Sequence, residues 1–372
     1  MRILLIGNQS GTIILFRKRL IQKLVLRGWE VYTLTMDSDE KNNEIIQGFG
    51  AIPLTYKFSR SGMNPISDVS NTVKLSSKIR KLNPDVVFSF FPKPVIFGSI
   101  AAKMAGVQNI FVLLEGLGYC FTETTQSMSL KKRILKSLQV FLYKLALPLA
   151  KKVMFLNKDD HHDLLIENDI KVKSYEVVGG IGVNLNDYNF CPVNTVNLHF
   201  SMISRLLIEK GIREFVAAAS IVKKMHPDVK FSVAGAFDDN PGGIPRAEYE
   251  EWIKEGAVEF LGQISDIKSY IISSSVFVLP SYREGVPRST QEAMAIGRAI
   301  ITTDVPGCRD TVVNGVNGFM VPPFNVEELV VSMLRFIEDR SLITSMGKAS
   351  RIMAESMFDE EIICDRLINI ME

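Results

Sequence analysis

The stretch Val276-Phe277-Val278-Leu279-Pro280-Ser281-Tyr282-Arg283-Glu284-Gly285-Val286-Pro287-Arg288-Ser289-Thr290-Gln291-Glu292-Ala293-Met294-Ala295-Ile296-Gly297 reads as strand, loop and helix. Its first five residues are a β-type apolar run. Pro287 fits the first helical position, where a missing N–H costs nothing, and Gly297 fits the stop. A helix beginning just after Glu284 leaves the amides near Arg288 and Ser289 unpaired and turns the positive end of its dipole toward the loop, which favours an anion. Glu284 stands before that helix and Glu292 over a turn inside it. Two carboxylates so spaced can accept hydroxyl hydrogen bonds from opposite ends of one extended ligand, such as sugars on both sides of a phosphate. From two glutamates alone, a capping acid and a solvated helix residue is the favoured account, because acids are common in first turns.

The nine residues from Glu284 to Glu292 resemble the two-glutamate motif, seven residues between the acids, of the family 4 retaining glycosyltransferases. The resemblance implies an α/β chain of GT-B fold, two Rossmann-like βαβ domains facing across a cleft. It further implies that Glu284 contacts a donor sugar and Glu292 the ribose, while the backbone of Gly285, Val286, Arg288 and Ser289 holds the phosphates.

The chain has 372 residues, 47% hydrophobic and 23% charged, and its length predicts two domains. A net charge of +2 argues against a dedicated nucleic-acid binder. Cys120, Cys191, Cys308 and Cys364 are far apart, with no Cys-x-x-Cys pair, and read as reduced thiols of a cytosolic protein. Residues 1–7 make too short an apolar run for a signal peptide and a good first strand. The longest apolar helix-like stretch, 138–150, falls short of the ~20 residues that cross a bilayer.

Taken in order, residues 2–7 predict a strand, 13–27 a helix closed by Gly28, and 30–36 a second strand, which is a βαβ unit and a parallel sheet. Asn8-Gln9-Ser10-Gly11 is not Gly-x-Gly-x-x-Gly, which argues against a nicotinamide or flavin enzyme. Gly11 either admits a phosphate to the backbone or merely permits the turn. Asp37-Ser38-Asp39 is read as a solvated turn rather than a metal site. The loop 58–65 is a connector, or a binding loop in which Arg60 meets a phosphate. Beyond it the pattern predicts helix 66–82, strand 84–90, helix 94–105 and strand 111–114.

Glu115-Gly116 then sits where open α/β sheets place ligands, at the carboxyl ends of the strands. Many family 4 enzymes carry histidine here. This chain resembles the members that extend polyprenyl-diphosphate-linked sugars in its Phe58-Ser59-Arg60 and Glu115-Gly116-Leu117-Gly118 segments. That resemblance implies an acceptor site at Arg60, Glu115 and Gly116. Residues 129–152 predict a basic amphipathic helix, first of all an ordinary one with its apolar face buried against the domain. The same helix can also turn Lys131, Lys132, Arg133, Lys136 and Lys144 toward anionic lipid head groups. His161-His162 suggests metal, but neighbours on a helix diverge and no third ligand is evident, so Asp159 or Asp160 as N-cap is the simpler account.

The domain expectations are 1–183 for the acceptor, 184–197 as linker and 198–355 for the nucleotide sugar, with a final helix at about 356–372 returning to the first domain. In the second half Arg205 and Lys210 share the loop after strand 199–203 and match the family's diphosphate-binding pair, while 258–264 matches the segment whose backbone at Ile264 reads the base.

The resemblance implies metal-independent, cofactor-free transfer with retention. The donor is a nucleotide diphosphate sugar, first a UDP-N-acetylhexosamine such as N-acetylgalactosamine and second a UDP-hexose. The acceptor is a polyprenyl-diphosphate-linked saccharide, undecaprenyl for example, on the inner membrane face, in polysaccharide, O-antigen or glycoprotein glycan assembly. Arg205, Lys210 and Glu284 are the expected catalytic residues together with Glu115. A nucleotide-sugar epimerase and a noncatalytic nucleotide-sugar-binding subunit are the other two readings.

Overall fold

A computed structural model describes residues 1–58, 65–123, 128–238 and 242–372. The chain divides into two compact units, residues 1–120, 129–179 and 361–372 in the first, and 121–128 with 180–360 in the second.

The first unit holds a seven-stranded parallel sheet: β1 (Arg2–Ile6), β2 (Glu30–Thr35), β3 (Ala51–Thr55), β4 (Val86–Phe90), β5 (Asn109–Leu114), β6 (Lys152–Phe155) and β7 (Tyr175–Val177). Their order is β3-β2-β1-β4-β5-β6-β7. The second unit holds β8 (His199–Ile203), β9 (Lys230–Ala234), β10 (Glu259–Phe260), β11 (Val276–Leu279), β12 (Ala299–Thr303) and β13 (Gly318–Val321), in the order β10-β9-β8-β11-β12-β13. Both orders reverse direction beside the first strand of the unit, as in the doubly wound nucleotide-binding fold. The central strands β4, β11 and β12 are buried along their whole length, which is why they read as unbroken apolar runs rather than alternating ones.

Three sequence expectations change. Residues 184–197 are not a free connector but part of the second unit. Asn184 Oδ1 accepts from the amides of Asn186 and Asp187 at 2.9 Å, and Arg351 donates to the carbonyls of Tyr188 (2.9 Å) and Ala295 (2.7 Å). Asparagine-nucleated turns let a polar segment fold onto its neighbour. The amphipathic helix covers Leu130–Ala146 rather than 129–152, passing into a tighter turn at Leu147–Leu149 where Pro148 removes a donor. The C-terminal region is two helices, Ser341–Met357 and Glu360–Met371, and of the second helix residues 361–371 belong to the first unit.

That last helix buries Ile363, Leu367, Ile368 and Met371. Cations four residues apart near the end of the first helix, Arg19, Lys23 and Arg27, meet its acids: Lys23 Nζ lies 2.7 Å from Asp365, and Arg27 Nη1 2.9 Å from Glu372. Arg19 pairs with Glu361. Such exposed pairs each stabilise by less than about 1 kcal/mol, so the apolar stripe holds the helix and the ladder sets its register.

Candidate active site

In the second unit, the reversal of strand order lies between β8 and β11, and the loops leaving these two strands carry the predicted donor residues. The loop after β8 turns through Ile208–Lys210 to Gly211, whose φ is +72°. A Cβ at Gly211 would stand 2.0 Å from the Pro280 carbonyl oxygen, so only glycine lets the two loops meet. The Tyr282 amide then donates to the Glu209 carbonyl at 2.9 Å.

The consequence is a pairing of residues 74 apart in sequence: Lys210 Nζ lies 2.5 Å from Glu284 Oε1, which also accepts from Ser281 Oγ at 2.7 Å. The Glu284 backbone is fixed from a third side, its amide donating to the Pro306 carbonyl at 3.0 Å. Gly307 lies against it so closely that a Cβ would come within 2.4 Å of the Glu284 and Gly285 carbonyl oxygens. Cys308 is buried beneath this loop, and burial, with Glu284 nearby, pushes its thiol up to about 12. It is an inert packing residue.

The helix spans Arg288–Ile296, with Pro287 as its N-cap rather than its first residue. Pro287 takes ψ 122°, the extended conformation of a cap. No side chain caps this N-terminus and no acid stands in the first turn, so its positive end is left uncompensated by the helix itself. Gly285 is half-buried, as is Ser289, whereas Val286 is buried and its carbonyl accepts from Gln291 Nε2 at 3.1 Å.

Glu292 is buried and paired with Arg288, Nε to Oε1 2.9 Å. Tyr188, from the segment expected to be linker, also hydrogen-bonds Glu292, and burial first, then that carboxylate, raises its phenol. Arg205 is half-exposed and pairs with Asp238 from the loop after β9. The structure therefore brings Lys210 to Glu284 and Arg288 to Glu292, and gives Arg205 a partner that sequence reasoning missed. Ile264 lies half-buried in the loop after β10.

In the first unit, Asp37 accepts from the Ser10 amide and hydroxyl, both at 2.7 Å, and Asp39 accepts from the Asn42 amide at 2.9 Å. Both acids of the Asp-x-Asp are thus helix-capping groups. A Cβ on Gly11 would meet nothing within 4 Å, so packing does not demand glycine there. Arg60 lies outside the described residues. Glu115, with Gly116 after it at φ 120°, stands at the end of β5, and its carboxylate turns inward to Arg17. Arg17 is legible in the sequence as an anomaly: Ile13, Arg17, Leu20, Ile21 and Leu24 form one helical stripe, and all five are buried.

The helix Leu130–Ala146 corrects the membrane expectation. Its buried face carries Lys132, Val140, Tyr143 and Ala146, and the Lys132 ammonium lies 4.5 Å from the Tyr119 ring centre. The exposed face carries an apolar stripe, Leu130 (73%), Ile134 (60%), Leu138, Phe141 (55%) and Leu145, with Lys131, Arg133 and Lys144 exposed beside it and Lys136 half-buried. Lys132 points inward and Ile134 outward, about 200° apart around the helix.

Nearby, Asn157 rather than either aspartate caps the helix Lys158–His161, accepting from the Asp160 amide at 2.7 Å. His161 stacks on Tyr175, ring centres 3.9 Å apart. His162, Asp163 and Glu167 bring one ligand atom each within 4.8 Å of one another, so the histidine pair is divided between two settings.

Comparison with known proteins assigns the class. The chain matches the family described as glycosyl transferase 4-like over residues 2–157 and that of glycosyl transferases group 1 over residues 194–353. It belongs to the family 4 glycosyltransferases and has their GT-B fold. Among individual relatives, it is 30% identical to the N,N'-diacetylbacillosaminyl-diphospho-undecaprenol alpha-1,3-N-acetylgalactosaminyltransferase of Campylobacter jejuni, over 100% of this chain and 98% of that protein. It is 26% identical to the UDP-Gal:alpha-D-GlcNAc-diphosphoundecaprenol alpha-1,3-galactosyltransferase of Escherichia coli, over 74% of this chain and 72% of that one. Anabaena HepE in complex with UDP and glucose shares the fold, with a TM-score of 0.77 at 17% identity over 100% of this chain and 99% of HepE.

Proposed function

We propose that this glycosyltransferase moves a sugar, N-acetylgalactosamine or another N-acetylhexosamine first and a hexose second, from UDP to a saccharide carried on undecaprenyl diphosphate. The observation that carries this reading is the Lys210–Glu284 pair at 2.5 Å beside the uncapped start of the helix Arg288–Ile296. Supporting it, two of the relatives aligned over most of this chain are named for diphosphoundecaprenol-linked acceptors.

Glu284 accepts hydrogen bonds from hydroxyls of the transferred sugar and is held in place by Ser281. Lys210, Arg205 and the amides of Arg288 and Ser289 meet the diphosphate, stabilising negative charge as it departs. Glu292 takes the ribose and the backbone at Ile264 the base. Fixed positive charge at the leaving group lets transfer proceed without a metal ion. The family resemblance implies retention, through departure and attack on one face of an oxocarbenium-like centre. Positioning supplies the remaining rate enhancement.

Arg60, Glu115 and Gly116 serve the acceptor. The test is UDP release from a panel of UDP-sugars with and without a short-chain polyprenyl-diphosphate saccharide, in EDTA. Release that requires the acceptor and is unchanged by EDTA is the expected result. Isomerised donor without acceptor would instead identify an epimerase, and binding without turnover a noncatalytic subunit.

The enzyme works as a peripheral protein on the inner membrane face. No helix among the described residues is long and apolar enough to cross a membrane. The stripe from Leu130 to Leu145 enters the acyl boundary, while Lys131, Arg133 and Lys144 meet anionic head groups. Ile134→Asp/Phe141→Asp removes two exposed apolar side chains without touching the core, and each is worth roughly 1.5–3 kcal/mol when fully buried. Co-sedimentation with phosphatidylglycerol-containing vesicles is expected to fall at least tenfold, on the order of 1.4 kcal/mol. Binding that ignores this variant and responds to salt alone would return the contact to the lysines.

A further inference from the structure

The helix Ser10–Leu26 places a guanidinium in the core of the first unit. Arg17 is 2% exposed, on the same stripe as Ile13, Leu20, Ile21 and Leu24. Its guanidinium carbon lies 4.3 Å from the ring centre of Phe90 and 6.0 Å from that of Phe88, both on β4. From there it reaches across to the end of β5, which pairs with β4 through Phe90 and Leu113, and forms an ion pair with Glu115, whose side chain is 4% exposed.

A cation and an anion this deeply buried are no cheap route to stability, since apolar side chains of similar volume stabilise as well or better. The pair lies at the carboxyl ends of β4 and β5, on the edge where open α/β sheets hold ligands. The turn that leaves Glu115 has little preference of its own for a direction, because its glycines are conformationally permissive. Gly116 and Gly118 have φ of 120° and 74°, and Leu117 between them is buried. The turn is anchored at two points, the Glu115 carboxylate and the Leu117 side chain.

We propose that Arg17 is a positioning residue of the acceptor site: it grips Glu115 and thereby aims the Gly116–Gly118 turn at the acceptor, and Glu115 serves as the anchor of that turn rather than as the group that takes the acceptor's proton. An oxygen spent on a guanidinium is an acceptor already in use, and the buried carboxylate presents little surface to a substrate. The inference rests on the reading that this turn serves the acceptor.

The test compares Arg17→Met, Arg17→Lys, Glu115→Gln and Arg17→Met/Glu115→Met in the full chain, measuring Tm, donor KM, acceptor KM and kcat. Each single neutral variant leaves one buried charge unpartnered and lowers Tm, whereas the double variant restores it. The expected result is that acceptor kcat/KM stays depressed in the double variant, by up to about 10²-fold, because a displaced turn misaligns the acceptor. Donor KM stays within twofold of wild type. Arg17→Lys, which keeps the charge but loses the planar fork, is expected to recover part of the acceptor term.

If the double variant recovers acceptor kcat/KM along with Tm, the pair is structural only and the positioning role is overturned. If Glu115→Gln loses kcat while Arg17→Met at equal Tm does not, Glu115 acts directly and the proposal fails. If instead donor KM moves and acceptor KM does not, the turn does not serve the acceptor, and it is the underlying reading that falls.

Discussion

Lys210→Met is expected to lower kcat for sugar transfer by about 10²–10³-fold, the cost of removing one preorganised charge from a developing anion. Lys210 is held for that task from two directions. Gly211 lets its loop close onto Pro280, and Glu284 takes its ammonium at 2.5 Å. Charge on the diphosphate grows as the sugar leaves, so the loss falls mainly on kcat and less on donor KM. Glu284→Ala differs in kind: losing hydroxyl contacts already made in the ground state raises donor KM, and losing those that tighten in the transition state lowers kcat as well. Initial rates of UDP release at saturating acceptor, with Tm recorded for each variant, separate the two. A fall in kcat of less than about tenfold in Lys210→Met would place the leaving-group stabilisation elsewhere.

Arg298→Ala is expected to destabilise the second unit by about 3–5 kcal/mol while leaving the site residues in place. Arg298 is fully buried and faces main-chain carbonyls: Ile271 at 3.1 Å, Ile272 at 3.0 Å and Cys191 at 2.7 Å. Burial drives its pKa down, yet a guanidinium stays charged there because it donates to the Ile272 carbonyl in the last turn of the helix Ile267–Ser273 and to that of Cys191, and shares the Ile271 carbonyl with the Ser274 amide and hydroxyl. Truncation takes the guanidinium away from the Ile272 and Cys191 carbonyls, while Ile271 keeps its bonds from Ser274. Calorimetry is expected to show Tm falling by roughly 10 °C, with transfer per folded molecule near wild type at low temperature. A shift below about 2 °C would mean that water or relaxation replaces the guanidinium. Lysine, with three donors on one nitrogen, is expected to recover only part of the loss.

Much of the architecture is legible in the sequence. The alternation of apolar runs with glycine-closed helices implies two parallel sheets, because strands covered on both faces must be apolar throughout. The loop from Ser281 to Pro287 is legible too, with its strand before and helix after, and so is the pairing of Arg205 and Lys210 in a second loop. Spacing within one loop is local information, and local information survives in a sequence.

The tertiary structure alone decided which charges meet. Lys210 finds Glu284, Arg205 finds Asp238 and Arg17 finds Glu115, across separations of 74, 33 and 98 positions that only strand order and register bring together. It also decided which way the helix Leu130–Ala146 faces. That helix has both an apolar stripe and a mixed stripe with Lys132 in it, and composition does not say which one the domain will cover. The answer depends on the shape of the surface it lands on, where the Tyr119 ring meets the Lys132 ammonium, and that surface lies outside the helix's own sequence.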